Sequence, residues 1–351
     1  MLGIEPRAAR AAWTVFLVAL AVWLLYRIRQ VLLIVIAAVL LAYLLAPVVG
    51  LLNRFTRRRL SRTLSLGLVY LLLVGALAVM GAVVGNRVSQ EAAGMAARLP
   101  AWLEKLEASW QTPQPSWLAP AQRALAAALR EKLASLGQMA LPLVQQATAG
   151  LISVVGGLIV LVIVPVLSFF LLKDGAELKQ RLLAGLSAEQ RALWEDVLAD
   201  VHRLLGQFMR ALVLLSLATF ATYAAAFALM GIPFAVLLAS LSGLLEFIPV
   251  LGPLLAAAVV SLVVLFSGSA PLWQVLAFLG GYRLFQDYVL QPQLMSAGLA
   301  LHPVLVIAGA LAGQAIAGVP GMFLSVPVMA TLRVLHMRLL KRQLSRGSPQ
   351  A

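Results

Sequence analysis

One apolar stretch of the chain, residues 231–266, is interrupted at its centre by the sequence Glu246-Phe-Ile-Pro249-Val-Leu-Gly252-Pro253. The stretch exceeds the about 20 residues that one membrane-spanning helix needs, and proline and glycine break it. In hydrocarbon, backbone groups freed by such a break need partners within the protein, so the break lies in the protein interior or along a wet cavity. The ionisable residue beside the break, Glu246, is therefore a candidate functional residue.

The composition of the chain is that of an integral membrane protein. Of its 351 residues, 62% are hydrophobic and 11% are charged, and its mean hydropathy is +0.97. Soluble domains carry about 25% charged residues. Basic residues outnumber acidic ones 27 to 13 and stand at the ends of apolar runs. This placement favours contact with anionic lipid at the cytoplasmic face over binding of nucleic acid.

The residues that usually bind metals are scarce. The chain has no cysteine, and its three histidines have no acidic neighbours in the sequence. Disulfides and thiolate sites are excluded, and a histidine-based metal centre is disfavoured. The sequence therefore predicts no metal site and no cofactor.

Six apolar segments have or approach the length of a spanning helix. They are residues 11–26, 31–52, 63–85, 148–172, 208–230 and 271–290. Arg7 and Arg10 precede the first segment as in a secretory signal, but no small-residue cleavage site follows it. The first segment is therefore interpreted as a retained helix.

The densest positive cluster orients the chain. It lies between the second and third segments and consists of Arg54, Arg57, Arg58, Arg59 and Arg62. The positive-inside rule places this cluster in the cytoplasm. The N-terminus and the basic C-terminal tail are then also predicted to be cytoplasmic.

The outer segment, residues 86–147, is amphipathic. One helical face groups the side chains of Leu99, Trp102, Leu103, Leu106 and Trp110. The tryptophans favour a position at the lipid headgroups or in a subunit contact. An interfacial amphipathic hairpin is preferred to a ligand-binding aromatic box.

The inner segment, residues 173–207, begins at Lys173-Asp174-Gly175, where a glycine suited to a left-handed terminal residue predicts the end of the fourth helix. Ser187 and Gln190 then have the spacing of a capping box. The apolar periodicity continues from there into the fifth span. One long helix is therefore predicted to emerge from the membrane.

A second broken segment, residues 303–334, resembles the first, residues 232–266. The breaks contain Pro249, Gly252 and Pro253 in the first segment and Gly318, Pro320 and Gly321 in the second. Flanking residues also correspond: Pro233, Val236, Leu241 and Gly243 match Pro303, Val306, Leu311 and Gly313, and after a one-residue slip Gly252, Leu255 and Val259 match Gly321, Leu324 and Val328. An internal repeat is one explanation, and chance similarity of Leu/Ala/Gly-rich segments is the other.

Interrupted segments in two repeats indicate a transporter binding site, because half-helix ends and unwound backbone meet there. The preferred fold is an all-α polytopic membrane protein with about 6 full transmembrane helices, two broken re-entrant helical hairpins and extramembrane amphipathic helices. The alternative makes the broken segments kinked or paired spans, giving 8 spans. The predicted regions are 1–85 (three membrane helices), 86–147 (extracytoplasmic), 148–172 (fourth helix), 173–207 (cytoplasmic), 208–335 (transport core) and 336–351 (basic tail).

Several motifs together resemble one known family. They are Phe169-Phe-Leu-Leu-Lys173-Asp174-Gly175, Gly231-Ile-Pro233, Phe247-Ile-Pro249-Val-Leu-Gly252-Pro253, Gln291-Pro292, Leu301-His302-Pro303, and Val319-Pro320-Gly321 through Ser325-Val-Pro327. In this order they resemble the AI-2E transporter family, also called PerM-like permeases, from the second helix to the tail. The chain departs from the family at Met295-Ser-Ala-Gly298, which lacks the basic residue that often precedes the Leu-His-Pro element.

The resemblance implies a secondary transporter of the bacterial inner membrane. Some members of the family export autoinducer-2, and others exchange sodium or lithium for protons. It also implies a homo-oligomer. The implied partners are therefore a small polar solute, or Na⁺, Li⁺ and H⁺.

Glu246 is the leading candidate for ion coupling. Burial of a carboxyl group disfavours its charged form, which suits a proton carrier. The alternative is a carboxylate that reaches the interface or caps a half-helix.

Other polar residues are candidates with competing structural roles. Arg283 and Asp287 are four residues apart, so they can pair on one helical face, either in a cavity or at the cytoplasmic interface. Gln286 lies on the same helix. His302 can titrate near neutral pH or simply satisfy a local hydrogen bond, and Gln314 can bind substrate or join helices.

Two functions of different classes follow. The first is a transporter of a small polar solute or a monovalent cation, coupled to protons or sodium. The second is a non-transporting membrane scaffold that recruits partners through its amphipathic helices. An intramembrane hydrolase is disfavoured, because the chain lacks a convincing nucleophile and base.

Overall fold

The computed structural model describes residues 6–55, 61–110, 155–294 and 302–347. These residues form helices joined by short turns, without a strand among them, and the predicted all-α polytopic membrane fold is confirmed. Some predicted features lie outside the described residues. They are the central arginines of the basic loop, the second half of the outer segment, the start of the fourth span and the last residues of the tail.

The described helices, in chain order, are α1 (Pro6–Arg27), α2 (Arg29–Phe55), α3 (Arg62–Met80), α4 (Asn86–Trp110), α5 (Val155–Ala184), α6 (Ala188–Leu229), α7 (Ala235–Leu245), α8 (Leu251–Ser267), α9 (Leu272–Phe285), α10 (Gln291–Leu294) and α11 (Pro303–Gly347). Two wide π-helical turns, Gly81–Gly85 and Gln286–Leu290, follow α3 and α9. By length and composition, four helical stretches of the described chain could cross a membrane: Arg29–Leu52, Thr63–Trp102, Ala188–Leu229 and Val304–Arg342. The last of these is interrupted at Ala317 and Gly318.

Exposed apolar side chains cover these helices, as expected for surfaces that face lipid. On α3 they include Leu71, Leu72, Val74, Leu77 and Val79. In water such a continuous apolar surface would drive aggregation. The same surface is favourable against hydrocarbon, so the protein is a multi-pass membrane protein.

The chain divides into two compact units. One contains residues 1–47, 160–206 and 301–351, and the other contains residues 48–159 and 207–300. In the second unit, the apolar core includes Tyr223, Phe227, Leu238, Val260 and Val275, which come from α6, α7, α8 and α9. This core surrounds the first broken segment.

The first two predicted spans are joined without a turn that breaks the helical bonding. Ile28 N–H donates to Leu24 O and Leu32 N–H donates to Ile28 O, both at 3.0 Å. As the sequence predicted, the two segments are separate helices: α1 ends at Arg27, α2 begins at Arg29, and Ile28 lies between them. Arginine is a good helix former, so helical hydrogen bonds continue across this junction.

The predicted helix end at Gly175 is wrong. Helix α5 continues to Ala184, and the positive-φ glycines of the described chain are Gly231, Gly268 and Gly318. The residues after Gly175 include Glu177 and Arg181, which form an i,i+4 ion pair on the surface. Good helix formers and such pairs extend the helix past the glycine.

The long helix predicted from Ser187 is confirmed as the 42-residue helix α6. Its capping box is also present: Gln190 N–H donates to Ser187 Oγ at 3.4 Å, and Ser187 N–H donates to Gln190 Oε1 at 3.3 Å. The reciprocal bonds satisfy two backbone donors that a helix start leaves free.

The chain stays helical across the boundary predicted between the third span and the outer segment. Helical backbone continues from Arg62 to Trp110 through the wide turn at Gly81–Gly85. Forty-nine helical residues span about 70 Å, more than twice the about 30 Å hydrocarbon core. Trp102, expected at headgroups or in a subunit contact, is instead 7% exposed and packs in the core of its unit.

Acidic residues near the start of α6 pair with the basic end of α11 in the first unit. Arg338 bonds to Asp196 at 2.9 Å and to Asp200 at 2.6 Å, and Arg342 bonds to Glu189 at 2.9 Å. Two of the tail cations that were expected to contact lipid are thus held by carboxylates. The ion pairs tie the C-terminal helix to α6.

The second broken segment folds back on itself. Ala317 and Gly318 leave helical geometry, with φ 65° and ψ −146° at Gly318. A Cβ atom on Gly309 would contact Met329, twenty residues further on and about 30 Å away along a straight helix. Helix α11 therefore consists of two arms, residues 303–316 and 319–347, that pack against each other.

Close contact of the two α11 arms depends on glycine. A side chain on Gly321 would overlap the carbonyl of Gly313. We expect Gly321→Ala to lower the free energy of unfolding by about 2 kcal/mol or more, as overpacking of a tight contact does. Thermal unfolding of the purified protein in detergent measures the change.

The matched variant is Gly175→Ala, since nothing lies within 4 Å of the Cβ position at Gly175. At this helical position alanine should raise stability by about 0.5–1 kcal/mol. A lower melting temperature for Gly175→Ala would contradict the continuous α5 helix. An unchanged melting temperature for Gly321→Ala would contradict the arm contact.

Candidate functional site

The first broken segment is a helical hairpin whose tip is a tight turn. Helix α7 ends at Leu245, and α8 begins at Leu251. Leu251 N–H donates to Pro249 O at 2.7 Å, which closes a three-residue γ-turn. The central residue, Val250, has φ 65° and ψ −54°, a strained conformation that is rare for a β-branched side chain.

The predicted break residues lie at this tip. Pro249 accepts the γ-turn bond, and Gly252 and Pro253 form the first turn of α8. A Cβ atom on Gly252 would overlap the carbonyl of Leu245, so glycine is required where the two arms meet. In α11 the break residues Gly318, Pro320 and Gly321 occupy the corresponding turn and second arm.

Glu246 caps the C-terminal end of α7, and its side chain lies half-buried between two other helices. Thr219 Oγ1, on α6, donates to Glu246 Oε1 at 3.3 Å. Gln286 Nε2, in the wide turn after α9, donates to Glu246 Oε2 at 3.0 Å. Each carboxylate oxygen therefore has one side-chain donor from a different helix.

A tyrosine hydroxyl extends this network. Tyr282 Oη lies 3.1 Å from Thr219 Oγ1. A threonine hydroxyl has one proton, which here goes to Glu246, so Tyr282 donates to Thr219. The result is a short chain of hydroxyl groups from Tyr282 through Thr219 to the carboxylate.

The polar partners of Glu246 are more buried than Glu246 itself. Thr219 and Gln286 are each 1% exposed, and Tyr282 is 7% exposed. Buried polar groups are costly unless they are hydrogen-bonded, and here each one is. We define these four residues, Glu246, Thr219, Tyr282 and Gln286, as the carboxylate cluster.

Gln286 reaches Glu246 from a wide π-helical turn. Such turns are rare and frequently occur at functional sites. One helical turn away, Arg283 pairs with Asp287 at 2.9 Å, and Gln291 Nε2 donates to Asp287 Oδ1 at 3.1 Å. The predicted Arg283–Asp287 pair therefore forms, with both side chains 37% exposed beside the buried cluster.

One face of α6 carries hydroxyl groups toward the first hairpin. Ser216 Oγ donates to Gly243 O at 2.7 Å, one turn before Thr219 meets Glu246. Sequence analysis missed Ser216, Thr219 and Tyr282. Hydroxyl groups three residues apart in an otherwise apolar span were the available signal, because such groups commonly bond across membrane helices.

Two sequence candidates are not part of the carboxylate cluster. His302 is exposed, and its Nδ1 accepts the Val304 N–H at 3.3 Å, the local bond that the structural interpretation expected. Gln314 is exposed on the first arm of α11. Their proposed roles in binding gain no support from these positions.

The second hairpin has a cation at its first-arm end. Arg29 Nη1, on α2, donates to Ile316 O at 3.2 Å, immediately before the break. The same guanidinium lies 4.3 Å from the centre of the Tyr26 ring. The carbonyl end of a helix is electronegative, so the positive group stabilises it.

The carboxylate cluster can hold either a proton or a hard cation. It offers carboxylate and hydroxyl oxygens, and the Gln286 amide can present its NH₂ or its carbonyl oxygen. Among the described residues, no group of three or more His, Cys, Asp or Glu side chains is suited to a metal ion. A single carboxylate with neutral hydroxyl and amide partners suits a proton or a monovalent ion.

Comparison with known proteins gives a family match over nearly the whole chain. The model of the AI-2E family transporter matches residues 13–341. Similar proteins, whose descriptions read "Putative transport protein", include MT0215 of Mycobacterium tuberculosis and YueF of Bacillus subtilis. The first is 30% identical over 92% of this chain and 88% of its own length, and the second is 26% identical over 86% and 82%. YrrI of Bacillus subtilis is 26% identical, and the match spans about half of each protein, 55%.

The hydroxyl chain can be tested by a double-mutant cycle. Thr219→Val and Tyr282→Phe each remove one side of the same hydrogen bond, so their effects on the free energy of unfolding should not add. We expect a coupling energy of about 1 kcal/mol. Unfolding of the single and double variants in detergent gives this quantity.

The control cycle combines Thr219→Val with Tyr288→Phe. Tyr288 is on the same helical segment but is 77% exposed, and its hydroxyl should not couple to Thr219. If the effects are additive in both cycles, Tyr282 and Thr219 do not share a hydrogen bond, and the hydroxyl chain is refuted.

Proposed function

Because the chain belongs to the AI-2E transporter family, we propose that it is a secondary transporter of the bacterial inner membrane. Its cargo is a small polar solute of the autoinducer-2 type or a monovalent cation, and transport is coupled to protons or sodium. The proposal includes cytoplasmic N- and C-termini, a homo-oligomeric assembly and anionic lipid at the cytoplasmic face.

The observation that carries the proposal is the position of Glu246. Its carboxylate lies at the end of a broken helix and is held by Thr219 and Gln286 from two other helices. Ionisable groups within membrane-spanning segments mark ion pathways and proton relays. Broken helices create the ion sites of many secondary transporters.

Exchange of the ion changes which groups of the cluster are donors. When Glu246 is ionised, Thr219 and the Gln286 amide donate to it. When Glu246 is protonated, rotation of the Gln286 amide presents a carbonyl oxygen that accepts the new O–H. Both states are therefore hydrogen-bonded, which allows loading and release without an unpaired buried group.

The scaffold alternative requires an outer amphipathic face that is free to bind partners. In the described part of that segment, Trp102 is buried against Phe234 and Phe266, with ring centres 6.3 Å and 6.1 Å apart. This part of the face is occupied within the chain. The transporter is therefore the function that the geometry favours.

Flux in proteoliposomes tests the role of Glu246. With an imposed proton gradient, autoinducer-2, sodium and lithium are offered separately to the wild-type protein. We expect Glu246→Gln to lower coupled flux by at least about tenfold, because glutamine cannot take up and release a proton. Full retained flux across the pH range would exclude Glu246 as the coupling residue.

The matched control is Glu177→Gln, which removes an exposed carboxylate of a surface ion pair on α5. Its flux should equal that of the wild type. Monovalent-cation flux without organic flux would assign the protein to cation exchange, and solute flux would assign it to export or uptake of the solute.

Thr219→Val separates binding from movement. The variant keeps the shape of the side chain but removes the donor to Glu246. A hydrogen bond to a charged group is worth about 1.5–3 kcal/mol, so its loss destabilises the ionised carboxylate and strengthens proton binding. The apparent KM for protons should therefore fall about tenfold with little change in Vmax. A fall in Vmax at constant KM would contradict a binding role for Thr219.

A further inference from the structure

Helix α7, the first arm of the first hairpin, begins without a cap of its own. The residue before it, Phe234, has left-handed φ 60° and ψ 37°, and its side chain makes no capping hydrogen bond. The first backbone N–H groups of a helix have no partner within the helix. In a membrane protein such donors need a partner from elsewhere.

A distant carboxylate supplies that partner. Glu91, on α4, accepts the Leu237 N–H through Oε2 at 2.7 Å, across 146 residues of sequence. Leu237 is the third residue of α7, the position whose N–H a normal capping side chain binds. The negative charge also lies at the electropositive end of the helix.

Glu91 belongs to one face of α4 that contacts the base of the hairpin. Gly94, Arg98 and Trp102 follow it at helical spacing, and we call these four residues the α4 contact face. A Cβ atom on Gly94 would be 3.3 Å from the Phe234 ring, and the Arg98 guanidinium lies 5.4 Å from the ring centre.

Trp102 extends this contact to the second arm. Its ring lies 6.3 Å from that of Phe234 and stacks on that of Phe266 at 6.1 Å and 20°. Phe234 directly precedes α7, and Phe266 is in the last turn of α8. The α4 contact face therefore packs against the start of α7 and the end of α8, which together form the base of the hairpin. The base lies about 16 Å, the length of the eleven residues of α7, from Glu246.

We propose that Glu91 is a positioning residue for the first hairpin. Its carboxylate supplies the missing cap of α7, and the strength of this cap sets how far and how often the hairpin tip moves. The hydrogen bonds of the carboxylate cluster do not involve Glu91. A change at Glu91 should therefore alter the rate of movement and leave ion binding unchanged. The flux part of the inference rests on the proposed transport function, whereas the movement of the tip does not.

The chain has no cysteine, so a single introduced cysteine reports one position without background. Leu254→Cys places a spin label beside the tip, where the native side chain is 63% exposed. Glu91→Gln, Glu91→Ala and the control Glu104→Gln are prepared in this background and in the native chain. Glu104 is an exposed carboxylate on the same helix.

Three measurements are made in lipid. Hydrogen exchange should show the Leu237 amide exchanging at least about fivefold faster in Glu91→Ala, as expected for a lost cap. Glu91→Gln should lie between wild type and Glu91→Ala, because its amide oxygen still accepts a bond. The label at residue 254 should become more mobile in the same order.

Flux completes the test. Vmax should fall about three- to tenfold in Glu91→Ala and less in Glu91→Gln, while the apparent KM changes less than twofold. Glu104→Gln should match the wild type in every measurement. If Glu91→Ala does not fold, the Gln variant alone decides by the same readouts.

Two results would overturn the proposal. The first is faster exchange at Leu237 with unchanged mobility of the spin label and unchanged Vmax, which would show that the cap affects only the start of α7. The second is a raised KM at constant Vmax, which would place Glu91 in ion binding. Absence of flux from the wild type would refute the proposed function, while the spin label would still show whether Glu91 positions the hairpin.

Discussion

The structure depends on how it satisfies backbone groups at the ends of short helices. Each helical hairpin exposes donors and acceptors that hydrocarbon cannot bind. Side chains provide the partners: the Glu91 carboxylate at the start of α7, the neutral Ser216 hydroxyl near its end, and the Arg29 guanidinium at the end of the first arm of α11. The anion lies at a helix N-terminus and the cation at a C-terminal end, as the helix dipole favours.

This division of roles explains why Glu246 is available for chemistry. The carboxylate is next to a helix end, yet its bonds go to the side chains of Thr219 and Gln286. At the second hairpin, the Ile316 carbonyl that could have bound a cation is occupied by Arg29. The two hairpins are thus alike in backbone and different in charge. The first has the Glu246 carboxylate at its tip, and the second has the Arg29 guanidinium bound beside its break.

Sequence was sufficient where a local rule decided the outcome. The capping box at Ser187, the breaks around Pro249 and Gly318, and the Arg283–Asp287 pair all follow from short-range spacing. Gly175 was misinterpreted because a glycine that can end a helix is tolerated within one. Glu91, Thr219 and Tyr282 were missed because their partners are distant in sequence, and the wide turn at Gln286 has no known residue signature.

The wide turn has a consequence for how this protein can vary. A π-helical turn contains one residue more than an α-helical turn, and each residue rotates a helix by about 100°. Loss of any one residue from 286–290 would rewind the turn and swing everything before it to another side of the helix axis. The partnership of Gln286 with Glu246 is therefore fixed by the number of residues as much as by their identity. Homologous chains with one residue fewer here would present a different side chain to the carboxylate, even if all the remaining residues were identical.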